Sequence, residues 1–307
     1  MAVPDSHDVT VVLTSYNHER FLEDAFASLV AQDHPHIRVI VTDDASTDSS
    51  VDVIERLLQH HGVDARRIFH ATNEGLCQTL NEALELVETP YVVHLSGDDW
   101  MAPDRVSKQV SALAADPDAA LVYGDAWIAS TPSAGPTGLF SDFFTDDWRS
   151  HHDGELFKSL LRTDWIPAPS VMARTDALRS VGGYDESLPV EDYDMWLRLA
   201  AAGHHFLLLE EPLVTWRRWG NSQTDVLQRT SKVEQDILDL RVWGKHLGHS
   251  REIDAWLAPR LAHIAIQSLK SGSRSPVLTR VLRAVLKAQP SFTALGYYAA
   301  ARFRQVS

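Results

Sequence analysis

The side chains best able to do chemistry in this chain are acidic pairs placed directly behind short apolar runs. Asp98 and Asp99, in Ser96-Gly97-Asp98-Asp99, follow Tyr91-Val92-Val93-His94-Leu95. Such a run reads as a buried strand, and parallel-sheet proteins bind ligands at the carboxyl ends of their strands. Paired hard oxygens there suit a divalent cation bridging to a phosphate-bearing substrate. The competing reading is a solvated acidic turn ahead of a helix over 103–113. Asp43 and Asp44 stand behind a second run, 37–42, in Asp43-Asp44-Ala45-Ser46-Thr47-Asp48. Ser46 or Thr47 can cap the next helix and Asp48 suits its positive end, but capping leaves Asp43 and Asp44 unexplained. A carboxylate at that position can accept hydrogen bonds from a base imide or from ribose hydroxyls.

Three more constellations follow the same logic. Thr14-Ser15-Tyr16-Asn17 closes the first apolar run and offers backbone groups and a ring that can stack on a base, although Asn17 as a helix N-cap explains the same residues. Glu191-Asp192 opens a helix over 192–202, where Asp192 reads equally as an N-cap or as a general base. In Trp216-Arg217-Arg218-Trp219 the arginines either clamp phosphates or pair with the many acids. The paired histidines (His34/His36, His60/His61, His151/His152, His204/His205) have no zinc-ligand spacing. The single cysteine, Cys77, reads as a small buried hydrophobe.

These residues need elements to hold them. Apolar runs at 9–14, 37–42, 68–70, 91–95 and 120–127 alternate with helical patterns at 19–31, 51–61 and 76–87, which predicts βαβ units and a mostly parallel sheet flanked by helices. Residues 131–138, rich in Pro, Gly and Ser, read as a mobile loop. Beyond it the pattern gives a helix at 154–161, a strand at 170–173, a break at Gly182-Gly183, strands at 206–209 and 213–217, and helices from about 225 onward. Trp165 and Ser170 lie in a Pro-rich segment expected to line the acceptor side of the site.

At 307 residues, 44% hydrophobic and 23% charged, the chain has the balance of a globular protein with a full core. One cysteine excludes an internal disulfide framework. The first eight residues lack the pattern of a signal peptide, and no run of about 18 apolar residues occurs, so a cytoplasmic protein is expected. The net charge of −14 divides unevenly: no acid follows Asp254, and the last stretch carries +8 against −22 for the rest. An amphipathic helix over 276–287 in that basic tail either packs on the remainder or docks on an anionic membrane face or another subunit. No nucleic-acid partner is expected.

Taken in order, the motifs resemble a family 2 glycosyltransferase of the GT-A fold, over residues 8–222. Val11–Asn17 is similar to the opening strand and base-binding turn; Val41–Asp48 resembles the V-D-D-G-S-T-D element, with Asp44 at the base-reading position; Asn73-Glu74-Gly75-Leu76 resembles the N-x-G-x segment under the donor. Ser96-Gly97-Asp98-Asp99 corresponds to D-x-D-D but has Ser96 in place of the first aspartate, which leaves Asp98 as the principal metal ligand with Asp99 in support. Glu191-Asp192 matches the E-D pair whose aspartate is the general base. The late Trp-Arg-Arg-Trp segment lacks the glutamine of the processive form, which implies one transfer per encounter.

The resemblance implies a catalytic domain over 1–222, with a nucleotide-binding half (1–130) and an acceptor half (131–222), followed by a helical extension (223–307). It also implies Mn²⁺ or Mg²⁺ and inverting transfer from a UDP- or dTDP-sugar. The acceptor would be a glycan, a lipid-linked molecule or a small molecule, in cell-surface polysaccharide or glycoconjugate synthesis at the inner face of the membrane. A nucleotidyltransferase is the rival, but it wants a Gly-rich basic loop after the first strand, and residues 14–20 contain no glycine. A non-catalytic nucleotide-sugar-binding module is a second rival, prompted by Ser96.

Overall fold

The computed structural model describes residues 7–144, 148–152, 155–219 and 229–306. The chain divides into two compact units, Met1–Trp219 and Gly220–Ser307.

The first unit is built on one curled sheet with strand order β3-β2-β1-β4-β8-β6-β9-β5 and a short β7 on β6. The β-branched run Val9–Ser15 forms β1, buried at every position. It lies between two parallel neighbours, β2 (Ile37–Asp43) and β4 (Tyr91–Ser96), and β2 pairs in parallel with β3 (Ala65–Phe69). Helices α1 (Leu22–Val30), α2 (Ser50–His61) and α3 (Leu76–Leu86) make the crossovers. The apolar faces of α1 and α2 join the core: Leu22, Phe26, Ile54 and Leu58 pack with Val11, Leu13, Val93 and Leu95. Each such fully buried side chain is worth about 1.5–3 kcal/mol relative to exposure.

The second half of the sheet is mixed. After the short β5 (Trp100–Met101) and α4 (Arg105–Ala115), β6 (Ala119–Ala129) runs antiparallel to β8 (Met172–Arg174) and parallel to β9 (His205–Arg217). Between β6 and β8 come β7 (Gly138–Leu139) and α5 (Leu156–Arg162); between β8 and β9 come α6 (Thr175–Ser180) and α7 (Asp192–Ala201).

Two details depart from the sequence pattern. The two expected strands at 206–209 and 213–217 are one strand, β9, which carries Glu210, Glu211 and Pro212 through a register shift opposite Gly124 and Asp125. The expected loop 131–138 holds a short 3₁₀ turn, Pro132–Ala134, and its end enters the sheet as β7. The expected start of the helix at Gly154 lies outside the described residues, as does the start of the C-terminal helical region at 225.

The second unit is helical: α8 (Lys232–Trp243), α9 (Arg251–Lys270), α10 (Pro276–Ala288) and α11 (Phe292–Val306). A capping box between Ser231 and Glu234 starts α8, and the side chains of Ser250 and Ser275 cap α9 and α10. The apolar stripe of α10 (Leu278, Val281, Leu282, Val285) is buried. That corrects the reading of this helix as a free membrane-docking surface, because the face that would enter a bilayer is already in a core. Among the described residues no helix is long and apolar enough to cross a membrane.

Candidate active site

The chain leaves β1 toward β2 and β3 on one side, then returns to place β4 on the other. The carboxyl ends of β1 and β4 therefore flank a topological switch point, where open α/β sheets form their ligand crevice. Each acidic or aromatic turn noted in the first half of the sequence opens at this edge: Tyr16 and Asn17 after β1, Asp43 and Asp44 at the end of β2, and Asp98 and Asp99 after β4.

Asp43 builds the turn after β2, accepting hydrogen bonds from the Ser46 N–H (2.8 Å) and hydroxyl (2.6 Å). Asp44 faces across it. Its Oδ1 accepts the Glu74 N–H (2.8 Å) and contacts His70 Nδ1 (2.8 Å), and its Oδ2 accepts the Gly75 N–H (2.9 Å). Gly75 sits at φ +91°, a conformation that L side chains avoid, so the N-x-G segment needs its glycine to aim that N–H. Asn73 donates to the Asp44 carbonyl (3.2 Å). Burial opposes protonation of His70, but its bonds to Asp44 and Glu82 prevail and hold its pKa above the ordinary imidazole value.

Asn17 does not cap α1. It sits at φ +56°, and its side-chain oxygen accepts the Thr47 N–H (2.8 Å), tying the β1 turn to the β2 turn. Tyr16 beside it is exposed. Thr14 turns inward to His94 Nε2 (2.8 Å), and burial, followed by the nearby Arg105 charge, drops the His94 pKa to about 4.

The β4 turn is pinned to β1 by the Gly97 N–H donating to the Thr14 carbonyl (2.8 Å). A Cβ at Gly97 would lie 2.9 Å from His18 Nδ1 and 3.0 Å from that carbonyl, so only glycine fits. Ser96, in the place of the missing acid, donates to Asp98 Oδ1 (2.5 Å), and Trp219 Nε1 donates to Asp98 Oδ2 (2.9 Å). His18 Nε2 lies 3.9 Å from the same oxygen. A carboxylate has about four acceptor sites, so Asp98 keeps capacity for a hard cation after these two bonds. Among the described residues no three His, Cys, Asp or Glu side chains converge as a metal cluster. The residues present thus fit a cation that takes most of its ligands from phosphate and water, the usual arrangement for Mg²⁺. Asp99 is buried behind Asp98. Burial, then the Asp98 charge, pushes its pKa up, and it accepts the Arg217 N–H (2.8 Å).

Arg217 is an internal strut. Its guanidinium donates to the Asp98 carbonyl (2.6 Å), the Ser130 carbonyl (2.9 Å) and Asp24 (2.6 Å), and only 1% of the residue is exposed. Of its two readings, phosphate clamp or partner of an acid, the buried pair with Asp24 fits the second, because β9 turns it into the sheet. Arg218 instead lies over the Trp216 ring at 4.7 Å. Trp165 and Ser170, expected on the acceptor side, are fully buried. Trp165 packs on Tyr123 at 5.6 Å and accepts a bond from Trp148 through its carbonyl, and Ser170 donates to the Gly124 carbonyl (2.8 Å).

At the start of α7, Glu191 holds the N-cap position without making a side-chain cap bond, and Asp192 is the first helical residue. Neither carboxylate is consumed by capping. Asp192 accepts the Tyr193 N–H (2.7 Å). The helix is fixed by a buried Asp194–Arg198 pair (2.8 Å), and Arg198 also donates to the Val181 carbonyl beside Gly182-Gly183 (2.7 Å). Glu191, Asp192 and Trp196 line a small, largely apolar cavity with His94, Tyr184 and Leu80, which links α7 to the strand leading into the Ser96 turn.

A third acid, Asp164, was not singled out from the sequence. The surrounding protein, then the charge of Asp192, raises its pKa. The surrounding protein likewise raises Asp192, and together with the Asp192 charge it pushes Glu191 up to about 8. His70, His94 and His18 were missed for a common reason: each works through a partner on another strand or turn, and only their position at the strand exits could have signalled them.

The curled sheet and its ligand edge are those of GT-A glycosyltransferases. Among solved structures, the chain resembles the mannosyltransferase PcManGT from Pyrobaculum calidifontis, determined with GDP-Man and Mn²⁺ (TM-score 0.61, 17% identity, 99% of this chain and 83% of that one). It also resembles S. aureus TarS 1–349 with UDP-GlcNAc (TM-score 0.56, 16% identity, 97% and 88%). Residues 10–160 match the model for Glycosyl transferase family 2, and residues 91–292 the one for Glycosyl transferase family group 2. The chain belongs to glycosyltransferase family 2, and its activity is glycosyl transfer. The putative glycosyltransferase EpsE of Bacillus subtilis (strain 168) is 27% identical over 240 residues, 73% of this chain and 76% of that protein. The putative teichuronic acid biosynthesis glycosyltransferase TuaG of the same organism is 35% identical over 104 residues, 33% and 40%.

Proposed function

We propose that this chain transfers a sugar, with inversion, from a UDP- or dTDP-linked donor to an acceptor hydroxyl during assembly of a cell-surface polysaccharide or glycoconjugate. The observation that carries the reading is the gathering of Asp44 and Asp98 at one switch-point edge, with Asp192 as the first residue of α7, held there by a backbone N–H of its own turn. Structural neighbours solved with GDP-Man and with UDP-GlcNAc support a nucleotide-sugar donor, and the putative teichuronic acid biosynthesis relative supports the setting.

In this reading Tyr16 stacks on the base. Asp44, oriented by two backbone N–H groups and His70, accepts from its imide. Asn17, Asn73, Gly75 and Gly97 shape the cradle, and Thr14 anchors it from below. Asp98 holds Mn²⁺ or Mg²⁺, which when bound neutralises charge on the departing diphosphate. Asp99 and Arg217 keep the Asp98 backbone in place, and Trp219 and Arg218 border the site. Asp192 takes the proton of the acceptor hydroxyl as that oxygen attacks the anomeric carbon from the face opposite the leaving group. Glu191 stands beside it, its own proton affinity raised by its surroundings and by the Asp192 charge.

A panel of UDP-, dTDP- and GDP-sugars screened with Mn²⁺ for nucleoside-diphosphate release identifies the donor. With that donor, Asp192→Asn should lower transfer roughly 10²–10⁴-fold while calorimetry finds donor affinity within about twofold of wild type. Retained transfer, or donor binding lost in parallel, overturns the assignment of the base.

A further inference from the structure

The donor edge has an acidic floor. Asp43, Asp44, Asp98 and Asp99 all open on it or lie just beneath, and a nucleotide sugar brings two more negative charges on its diphosphate. A single divalent cation on Asp98 leaves part of that charge unmatched. Of the arginines that the sequence offered as the counter-charge, Arg217 is buried and committed to Asp24 and two carbonyls, and Arg218 stacks on Trp216, which unlike Trp219 makes no hydrogen bond to Asp98 among those described.

We infer that Arg20 is the diphosphate-binding cation of this site, a proposal that rests on the reading of the donor as a nucleoside diphosphate sugar. Arg20 is exposed and, among the described residues, makes no ion pair or hydrogen bond. It is nevertheless held. Its guanidinium carbon lies 4.5 Å from the centroid of the Phe21 ring and 4.5 Å from that of Trp219, and the two rings are 5.1 Å apart. Trp219 in turn donates its indole N–H to Asp98 (2.9 Å). Stacking on the aromatic pair thus fixes the guanidinium one ring away from the carboxylate that faces the cation and leaves its planar fork of N–H donors unspent.

An arginine so placed has the geometry for bidentate contact with two phosphate oxygens, and stacking removes part of the ordering cost that a free surface arginine would meet. Its neighbour Glu19 does not neutralise it, because that carboxylate accepts the Ser49 N–H (2.8 Å) on the far side of the turn. Arg20 is therefore a ligand-binding residue specific for the diphosphate, with no role in reading the base.

The test titrates the full chain, with Mn²⁺ present, with UDP, dTDP and GDP, and carries the tightest of these and its parent nucleoside to Arg20→Ala and Arg20→Lys. Arg20→Ala should weaken the diphosphate by about tenfold or more and leave the nucleoside within about twofold, with an unchanged melting temperature. Arg20→Lys, which keeps the charge but loses the fork, should fall between. Wild-type affinity for the diphosphate in Arg20→Ala, or an equal loss for the nucleoside, overturns the assignment of Arg20 alone. Failure of the wild-type chain to bind any of the three diphosphates overturns the donor reading and this assignment with it.

Discussion

The sheet-exit end of the site and the α7 end are built from the same functional group and surround it in opposite ways. At the strand exits the carboxylates are fixed by donors: Asp43 by Ser46, Asp44 by two backbone N–H groups and His70, and Asp98 by Ser96 and Trp219. At α7 the acids crowd one another. Glu191 makes no cap bond, Asp192 accepts only backbone N–H groups of its own turn among the bonds described, and Asp164 is a third acid beside them; the protein surroundings raise all three, and the Asp192 charge adds to the rise of Glu191 and Asp164. A carboxylate fixed by donors has a settled direction and suits binding. One kept short of donors, beside like charges, holds a proton more readily and suits proton transfer at neutral pH. The same contrast separates loss of binding from loss of turnover, which makes it testable.

The largest effect at the sheet-exit end should follow Gly97→Ala. The new methyl meets the Thr14 carbonyl, which the Gly97 N–H holds on the β1–β4 edge, and crowds the side chains of His18 and Leu22, which would have to turn aside. The turn that carries Asp98 must shift, so nucleoside-diphosphate affinity in Mn²⁺ should fall by tens-fold and stability by about 1–3 kcal/mol. Calorimetry and denaturant melts measure both. An affinity near wild type would mean that the Asp98 turn does not hold the diphosphate.

A smaller effect of opposite sign should follow Ser96→Asp. Ser96 now stabilises Asp98 by donating to it. An aspartate withdraws that donor and adds a second hard oxygen ligand, so the two acids repel until a cation joins them. Mn²⁺ affinity without nucleotide should rise by about tenfold, and the melting temperature should become more responsive to Mn²⁺ than in the wild type. If Mn²⁺ binds no better, this turn does not face the cation, and the comparison between the two ends loses its binding half.

How much of this could be read beforehand depends on the range of each contact. β1, β2 and β4 were legible because each is an apolar, β-branched run ending in a turn motif, and so were the positions of Asp44, Asp98 and Tyr16 at their exits; β3 was expected only at 68–70 because Arg66 and Arg67 fill its first half. Asp44 with His70 was not, since the residues lie 26 apart and meet only through β2–β3 pairing. Arg217 was ambiguous because Trp-Arg-Arg-Trp reads the same whether an arginine faces solvent or the sheet, and only the register of β9 on β6 turns it inward. Pro212 broke one strand into two on paper, whereas in the sheet it falls at a register shift where a missing N–H costs little. Asp164 carried no motif at all; its importance comes from the company of Glu191 and Asp192, 27 and 28 residues away in sequence.

That company sets the smallest and most discriminating effect. The Asp192 charge raises the proton affinity of Asp164 and of Glu191, so as pH falls those two acids take up protons before Asp192 does. A general base works only when ionised; a raised pKa therefore makes transfer fall, as pH drops, at a higher pH than an ordinary carboxylate near 3.8 would impose. Asp164→Asn puts a neutral amide in place of an acid already protonated in that range, so it should leave the acid limb of kcat/KM within about 0.3 pH unit of wild type, with donor affinity at neutral pH unchanged. Glu191→Gln should likewise leave the limb in place. If Asp164→Asn instead moves the limb to lower pH, Asp164 carries its charge while Asp192 titrates, and it tunes the base directly.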